Sequence, residues 1–146
     1  MKRYIHTETG TIDVTNCHPI VWPCADFTAF ACDTMQLMDI AYVIDNDSAK
    51  WGGDTVSLYN EDYSISPPDV LNSLDRGDYY ILITSDRSCS SIENQIKEEY
   101  PEWQERTVRW RELRTAYDDF YSMFLLNPIM CNKICGGHVA SLLEGY

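Results

Sequence analysis

Pro101–Asn127, PEWQERTVRWRELRTAYDDFYSMFLLN, is the stretch on which a reading of this chain turns. Its apolar residues Trp103, Trp110, Leu113, Tyr117, Phe120 and Phe124 are spaced 7, 3, 4, 3 and 4 apart, which predicts one face of a single long helix. Pro101 suits the first helical turn, where its missing N–H removes no bond. Glu102–Arg106 and Glu105–Arg109 stand at i,i+4 in the favourable order, so the outer face is expected to be charged. Beyond Phe120 the chain is apolar nearly all round, through Tyr121, Met123, Phe124, Leu125 and Leu126. That end belongs in a core or an interface, and Phe120, Phe124 and Leu125 are the candidate contacts of an oligomer.

Upstream the periodicity shortens. Ile5 and Thr7 alternate with His6 and Glu8, Thr9-Gly10 supplies a turn, and Ile12 and Val14 alternate again, which predicts a hairpin over 3–15. Asn16–Cys24 carries Pro19 and Pro23 and reads as irregular, with Ile20, Val21 and Trp22 buried. Asp26 is a candidate cap for a helix running to about Met38. Ile40–Ile44 reads as a strand paired with Thr55–Tyr59 across the Trp51-Gly52-Gly53-Asp54 turn. Ser66-Pro67-Pro68-Asp69 opens a helix with Val70, Leu71 and Leu74 inside. Tyr79–Thr84, YYILIT, is the strongest strand, apolar enough to lie centrally. Ser90 and Glu93 form a capping box for a helix with Ile92, Ile96 and Tyr100 inside. The expected architecture is a single α+β domain over 1–146. It has a small mixed or antiparallel sheet of four to five strands and helices on one face, led by the long C-terminal amphipathic helix.

Charge divides the chain. Residues 4–86 hold fourteen acidic residues against Lys50 and Arg76, whereas the helical half 87–146 is close to balanced. The net charge of −12 opposes nucleic acid and anionic lipid and favours a basic protein surface. No apolar run of signal-peptide length follows Met1-Lys2-Arg3, and no stretch of about 18 apolar residues could span a bilayer. A cytoplasmic chain with its six cysteines reduced is expected.

Four constellations invite a chemical reading. Cys131, Cys135 and His138 are zinc-ligand types at close range, to which Cys17, His18 or Cys24 could add a fourth. Their spacing matches no standard zinc knuckle, and no metal or other cofactor is expected. Cys17, Cys24 or Cys89 could serve as a thiolate with His6, His18 or His138 as base, although no orienting third residue can be named. Arg106, Arg109, Arg111 and Arg114 lie among Glu98, Glu99, Glu102, Glu105 and Glu112, which suits a salt-bridged face better than a nucleic-acid groove. Asp45 and Asp47 follow an apolar strand as D-x-D and could hold Mg²⁺ for phosphoryl transfer.

On that last stretch, with Thr84-Ser85 ending a second strand, the chain resembles the haloacid dehalogenase-like phosphatases, whose aspartate motif ends their first strand. Lys97 and Asp118-Asp119 are left for the remaining motifs. The resemblance implies a Mg²⁺-dependent enzyme. Asn46-Asp47-Ser48-Ala49 departs from the signature, and the chain has too few residues for the doubly wound sheet of that family. In size, acidity, cysteine-bearing α+β make-up and the opening RYIHTETGTIDV, the chain is similar to small phage or mobile-element inhibitors of host defence nucleases, the anti-CRISPR proteins among them. That resemblance implies a non-enzymatic protein that occupies a basic, nucleic-acid-binding surface of a protein target. The turn acids Asp45, Asp47, Asp54, Glu61 and Asp62 are the candidate contacts. The alternatives are the Asp45/Asp47 enzyme and a homo-oligomeric interaction module.

Overall fold

The computed structural model describes residues 2–113. The Tyr79–Thr84 run forms β7 (Tyr79–Ile83), and its alternating side chains divide between two faces of one sheet. On one face Ile81 and Ile83 join Ile20, Trp22, Ile44 and Leu71 in a buried cluster with Ile92, Ile96, Tyr100 and Trp103. On the other, Val21, Val43, Leu82 and Val108 are all fully buried. A strand apolar on both faces needs cover on both faces, and that requirement favours parallel pairing with crossover helices.

The pairing follows. Strands β3 (His18–Trp22), β4 (Tyr42–Ile44), β6 (Glu61–Ser66), β7 and β8 (Thr107–Arg109) run parallel, while β5 (Thr55–Leu58) joins β6 antiparallel. The spatial order is β5-β6-β4-β3-β7-β8, with β3 and β7 side by side in the interior. A separate hairpin, β1 (Tyr4–Thr7) and β2 (Gly10–Asp13), pairs Ile5 with Ile12 as the alternation predicts.

Helices cover both faces. Helix α1 (Asp26–Met35) follows β3 and buries Thr28, Ala31, Cys32 and Met35. Its Thr28 hydroxyl meets that of Thr84 at 3.1 Å, and Thr84 continues the Leu82 side of β7, so α1 lies on the Val21–Leu82 face. Helix α2 (Cys89–Glu99) lies on the other face through Ile92 and Ile96, as the sequence predicts. The expected arrangement, with helices on one face of a four- to five-stranded sheet, is thus replaced by a six-stranded, mostly parallel sheet covered on both sides.

Several local expectations change, each for a visible reason. The region 16–24 holds the central strand despite Pro19. The Pro19 carbonyl accepts from Ala41 N, toward β4, and a strand residue directs its N and C=O to the same side. The missing N–H therefore falls just ahead of the first β4 pair, Ile20 with Tyr42, and no bond to β7 is lost. Thr55–Leu58 pairs with Glu61–Ser66 rather than with the 40–44 strand. Tyr59 and Asn60 both take positive φ, 47° and 68°, and close a two-residue hairpin turn of the type that matches strand twist. Residues 68–73 form a 3₁₀ helix rather than a full helix. Ala25, not Asp26, is the cap of α1, and Thr28 Oγ1 accepts the Ala25 N–H at 3.0 Å. The helix stops at Met35, where Gln36 turns left-handed with φ 51°.

The largest correction concerns the opening stretch. Pro101–Arg106 is a 3₁₀ helix, Thr107–Arg109 is strand β8, and α-helical structure begins only at Trp110. The long helix from Pro101 is not formed. Trp103 and Trp110 are both buried, but they flank a strand rather than share a helix face. The arginines do not make the i,i+4 pairs that the helix would have used. Arg106 bonds Tyr79 O at 3.0 and 3.1 Å and Asp13 O at 2.8 Å, and Arg109 forms a bidentate pair with Glu93 at 2.9 and 3.0 Å. These long-range partners hold β8 against β7 and the hairpin against the sheet. Residues 114–146, including the rest of the predicted helix, lie outside the described residues.

Trp103 is 1 % exposed and donates its indole N–H to Leu71 O at 3.3 Å. Trp103→Ala should cost roughly 3–5 kcal/mol, since it removes a large, fully buried core side chain and leaves a cavity behind. Urea unfolding should show this as a lower midpoint at an unchanged slope.

Candidate functional site

In a largely parallel sheet, ligands usually gather at the carboxyl ends of the strands, where the connection order reverses. Here that point lies between β3, which leads through α1 to β4 on one side, and β7 on the other. The chain's own side chains close it. Thr28 Oγ1 donates to Pro23 O at 2.6 Å and contacts Thr84 Oγ1, which itself reaches Pro23 O at 3.1 Å. Both threonines are fully buried. Phe27 packs edge-on against Trp110 with ring centroids 5.1 Å apart.

Asp45 sits at the end of β4 beside this point and is 7 % exposed. Its carboxylate accepts from Cys24 N at 3.0 Å and Asp47 N at 2.8 Å, and Lys50 Nζ lies 3.4 Å away. Lys50 also donates to Cys24 O at 2.7 Å, and Trp51 Nε1 donates to Asp45 O at 2.8 Å. Asp45 therefore joins the ends of β3 and β4 to the 3₁₀ turn Ser48–Lys50. It is not an exposed contact for a partner, and this corrects the sequence reading. The Asp47 carboxylate is taken up locally, capping that turn through Ala49 N at 3.0 Å. In the haloacid dehalogenase-like pattern the aspartate ends the first strand, whereas the first strand of this sheet, β3, ends in Trp22-Pro23-Cys24. Among the described residues, no group of three or more His, Cys, Asp or Glu is placed to share a metal ion.

The cysteine–histidine pairings do not form among the described residues. His6 Nδ1 meets Thr11 Oγ1 and His18 Nδ1 meets Asp39 O, each away from a thiol. Burial pushes the Cys24 thiol up, against the pull of Lys50. Burial likewise pushes Cys32 up to about 12 and Cys89 up to about 11, the latter helped by Glu93. Such thiols stay protonated at neutral pH and are poor nucleophiles. Cys131, Cys135 and His138 lie outside the described residues, as do Phe120, Phe124 and Leu125 of the predicted oligomer contact.

The remaining predicted contacts, Asp47, Asp54, Glu61 and Asp62, are all exposed. Asp54 leads into β5, and Glu61 and Asp62 open β6. Asp33 of α1 joins them by accepting Tyr59 N at 2.9 Å at the hairpin turn. Glu61 accepts the Tyr63 hydroxyl at 3.0 Å, so these two share one face, while Asp62 projects from the opposite face. That bond and burial, with burial the larger cause, push the Tyr63 phenol up to about 12.

The cations lie elsewhere. Arg106, Arg109 and Arg111 belong to the β8 end, and Arg109 and Arg111 are paired there with Glu93 and Asp86. Lys50 is occupied at Asp45, and no Lys or Arg occurs between Trp51 and Asp75, a span with five acidic residues. Among the described residues, none of the acids of the β5–β6 end forms an ion pair. Sequence reasoning marked its turn acids but missed β6, Asp33 and the burial of Asp45. The Tyr59-Asn60 pair between alternating runs was the available signal for the hairpin.

Two hollows flank the β1–β2 turn. One of about 370 Å³ is lined by Glu8, Glu93, Arg109 and Glu112, and one of about 500 Å³ by Thr9, Thr11, Arg76 and Arg106. Arg76 and Arg106 already donate to main-chain carbonyls, and Arg109 is paired to Glu93. No family model, no curated protein and no solved structure matches this chain.

Two outcomes follow from this geometry. Asp45→Ala leaves Cys24 N, Asp47 N and Lys50 without their shared acceptor and should cost roughly 2–4 kcal/mol, read by chemical denaturation. Alkylation of the native protein at mildly alkaline pH should spare Cys24, Cys32 and Cys89, and denaturant should expose all three, as peptide mass mapping would record.

Proposed function

We propose that this chain is a non-enzymatic binding protein whose acidic β5–β6 end occupies a basic surface of a protein target and blocks it. The observation that carries this reading is the segregation of charge. Asp33, Asp54, Glu61 and Asp62 lie on and beside one hairpin, and Lys50, which precedes it in sequence, is paired with Asp45. Acids on a hydrogen-bonded sheet hold a fixed arrangement, so little ordering entropy is lost on meeting a basic groove. Their field raises the encounter rate and selects the partner by sign. A surface built to hold nucleic-acid phosphates has the complementary charge, and the profile shared with small inhibitors of defence nucleases points to targets of that kind.

The Asp45/Asp47 enzyme is the weaker reading, because the oxygens of Asp45 are already shared among two N–H groups and an ammonium. A metal there would have to displace the bonds that join β3 to β4.

The test is charge reversal confined to the exposed acids. The combined variant Asp54→Lys, Glu61→Lys and Asp62→Lys should keep its melting temperature within a few degrees, since these side chains are exposed. It should lose capture of basic proteins from lysate, and wild-type capture should weaken steeply as salt is raised. Capture unchanged by the reversal would refute the acidic-face reading.

A further inference from the structure

Among the described residues, the hairpin that carries these acids also leaves main-chain groups unpaired. Its two-residue turn makes Leu58 and Glu61 a mutually hydrogen-bonded pair. Antiparallel pairing alternates from there, so Val56 with Tyr63 is also hydrogen-bonded, while Ser57 with Asp62 and Thr55 with Ser64 are not. An independent bond confirms the phase. Ser66 O accepts Asp45 N from β4, so the even-numbered residues of β6 turn their main chain toward β4 and away from β5. On β5 the same alternation directs the N–H and C=O of Thr55 and Ser57 outward. No strand borders β5 on that side among the described residues.

Exposed edges in monomeric proteins are usually guarded by lysine, proline, a bulge or extreme shortness. Thr55-Val56-Ser57-Leu58 carries no lysine, proline or bulge. Its flanks carry acids on both faces, Glu61 and Asp33 on one and Asp62 on the other, with Asp54 at its start. A second copy of this chain would bring the same acids against them, and like charges placed opposite one another repel. A cationic strand would meet complementary charge on either face.

We propose that β5 is a strand-addition site, taking an extended Lys- or Arg-bearing segment of another protein as a seventh strand. The segment would exchange hydrogen bonds with the N–H and C=O of Thr55 and Ser57. Its basic side chains would project to Asp62 on one face and to Glu61 and Asp33 on the other. Main-chain bonds would supply affinity, and the acids would set the preference for sequence. The inference rests on the acidic-face reading and specifies the shape of the partner: extended and basic, rather than helical and basic.

The probe is a short synthetic peptide alternating Lys and Val, titrated against the full chain by fluorescence anisotropy, with amide exchange followed by NMR. Binding should slow exchange at the Thr55 and Ser57 amides. Ser57→Pro removes one outward donor while costing no ladder bond, because proline is tolerated where its nitrogen faces solvent. It should weaken binding about tenfold or more at an unchanged melting temperature. A readout that leaves the protein unaltered uses two peptides, N-methylated at alternate residues along one edge or along the other. One should lose binding and the other keep it.

Equal binding by both methylated peptides, or unchanged exchange at Thr55 and Ser57, would overturn strand addition. So would self-association that Ser57→Pro removes in the absence of peptide uptake, which would assign the edge to a second copy. If Ser57→Pro retains binding and the triple lysine variant loses it, strand addition fails and the acidic-face reading survives. The reverse pattern would leave the open edge and remove the role of charge.

Discussion

The carboxylate of Asp45 is the constraint on which both the fold and its surface charge depend. It ends the short strand β4, and its two oxygens collect the Cys24 N–H, the Asp47 N–H and the Lys50 ammonium. The end of β3, far away in sequence, is thereby closed onto β4 and the turn that follows β4 through one buried acceptor. A buried carboxylate is costly unless its lone pairs are filled, and here they are filled mainly by main-chain groups that need partners in any case. The same contact pairs Lys50, the one lysine between Tyr4 and Asp86, with a buried acid while its side chain stays partly exposed.

The enzyme-like sequence signals fall where the buried Asp45 ties β3 to β4. The strand order β6-β4-β3-β7-β8 creates the crevice that α/β proteins commonly use for ligands. Thr28 and Thr84 meet at its floor, and Phe27 packs against Trp110 nearby. Among the described residues, the outward main-chain donors and acceptors of the β5 edge lie beside the acids of the β5–β6 turn. A sheet edge is a stronger physical basis for recognition than charge alone, because its hydrogen-bond geometry is fixed before the partner arrives.

The opening stretch shows how a periodic pattern can mislead. Trp103, Trp110 and Leu113 fit a helical face, yet Thr107, Val108 and Arg109 complete the sheet. β7 had an unpaired side, and the buried Val108 satisfied it beside Leu82. Pairing a central strand outweighs the modest gain from a few i,i+4 ion pairs. Arg106 and Arg109 then found partners across the fold, at Tyr79, Asp13 and Glu93. Pro19 misled in the opposite direction. It argued against a strand, but its missing N–H fell where no neighbour required it.

The sequence alone determined the hairpin of 3–15, the interior strand at 79–83, the buried Ile92 and Ile96 of α2 with Tyr100 just beyond its end, and the acidic character of the first half. Each of these is local, written in alternation, helical spacing or composition. Which strands became neighbours, whether they ran parallel, which aspartate was buried and which way the β5 main chain faced were decided only in the tertiary structure. These depend on residues far apart in the chain competing for the same hydrogen-bonding groups and the same buried volume. No periodicity within one segment records the outcome of that competition.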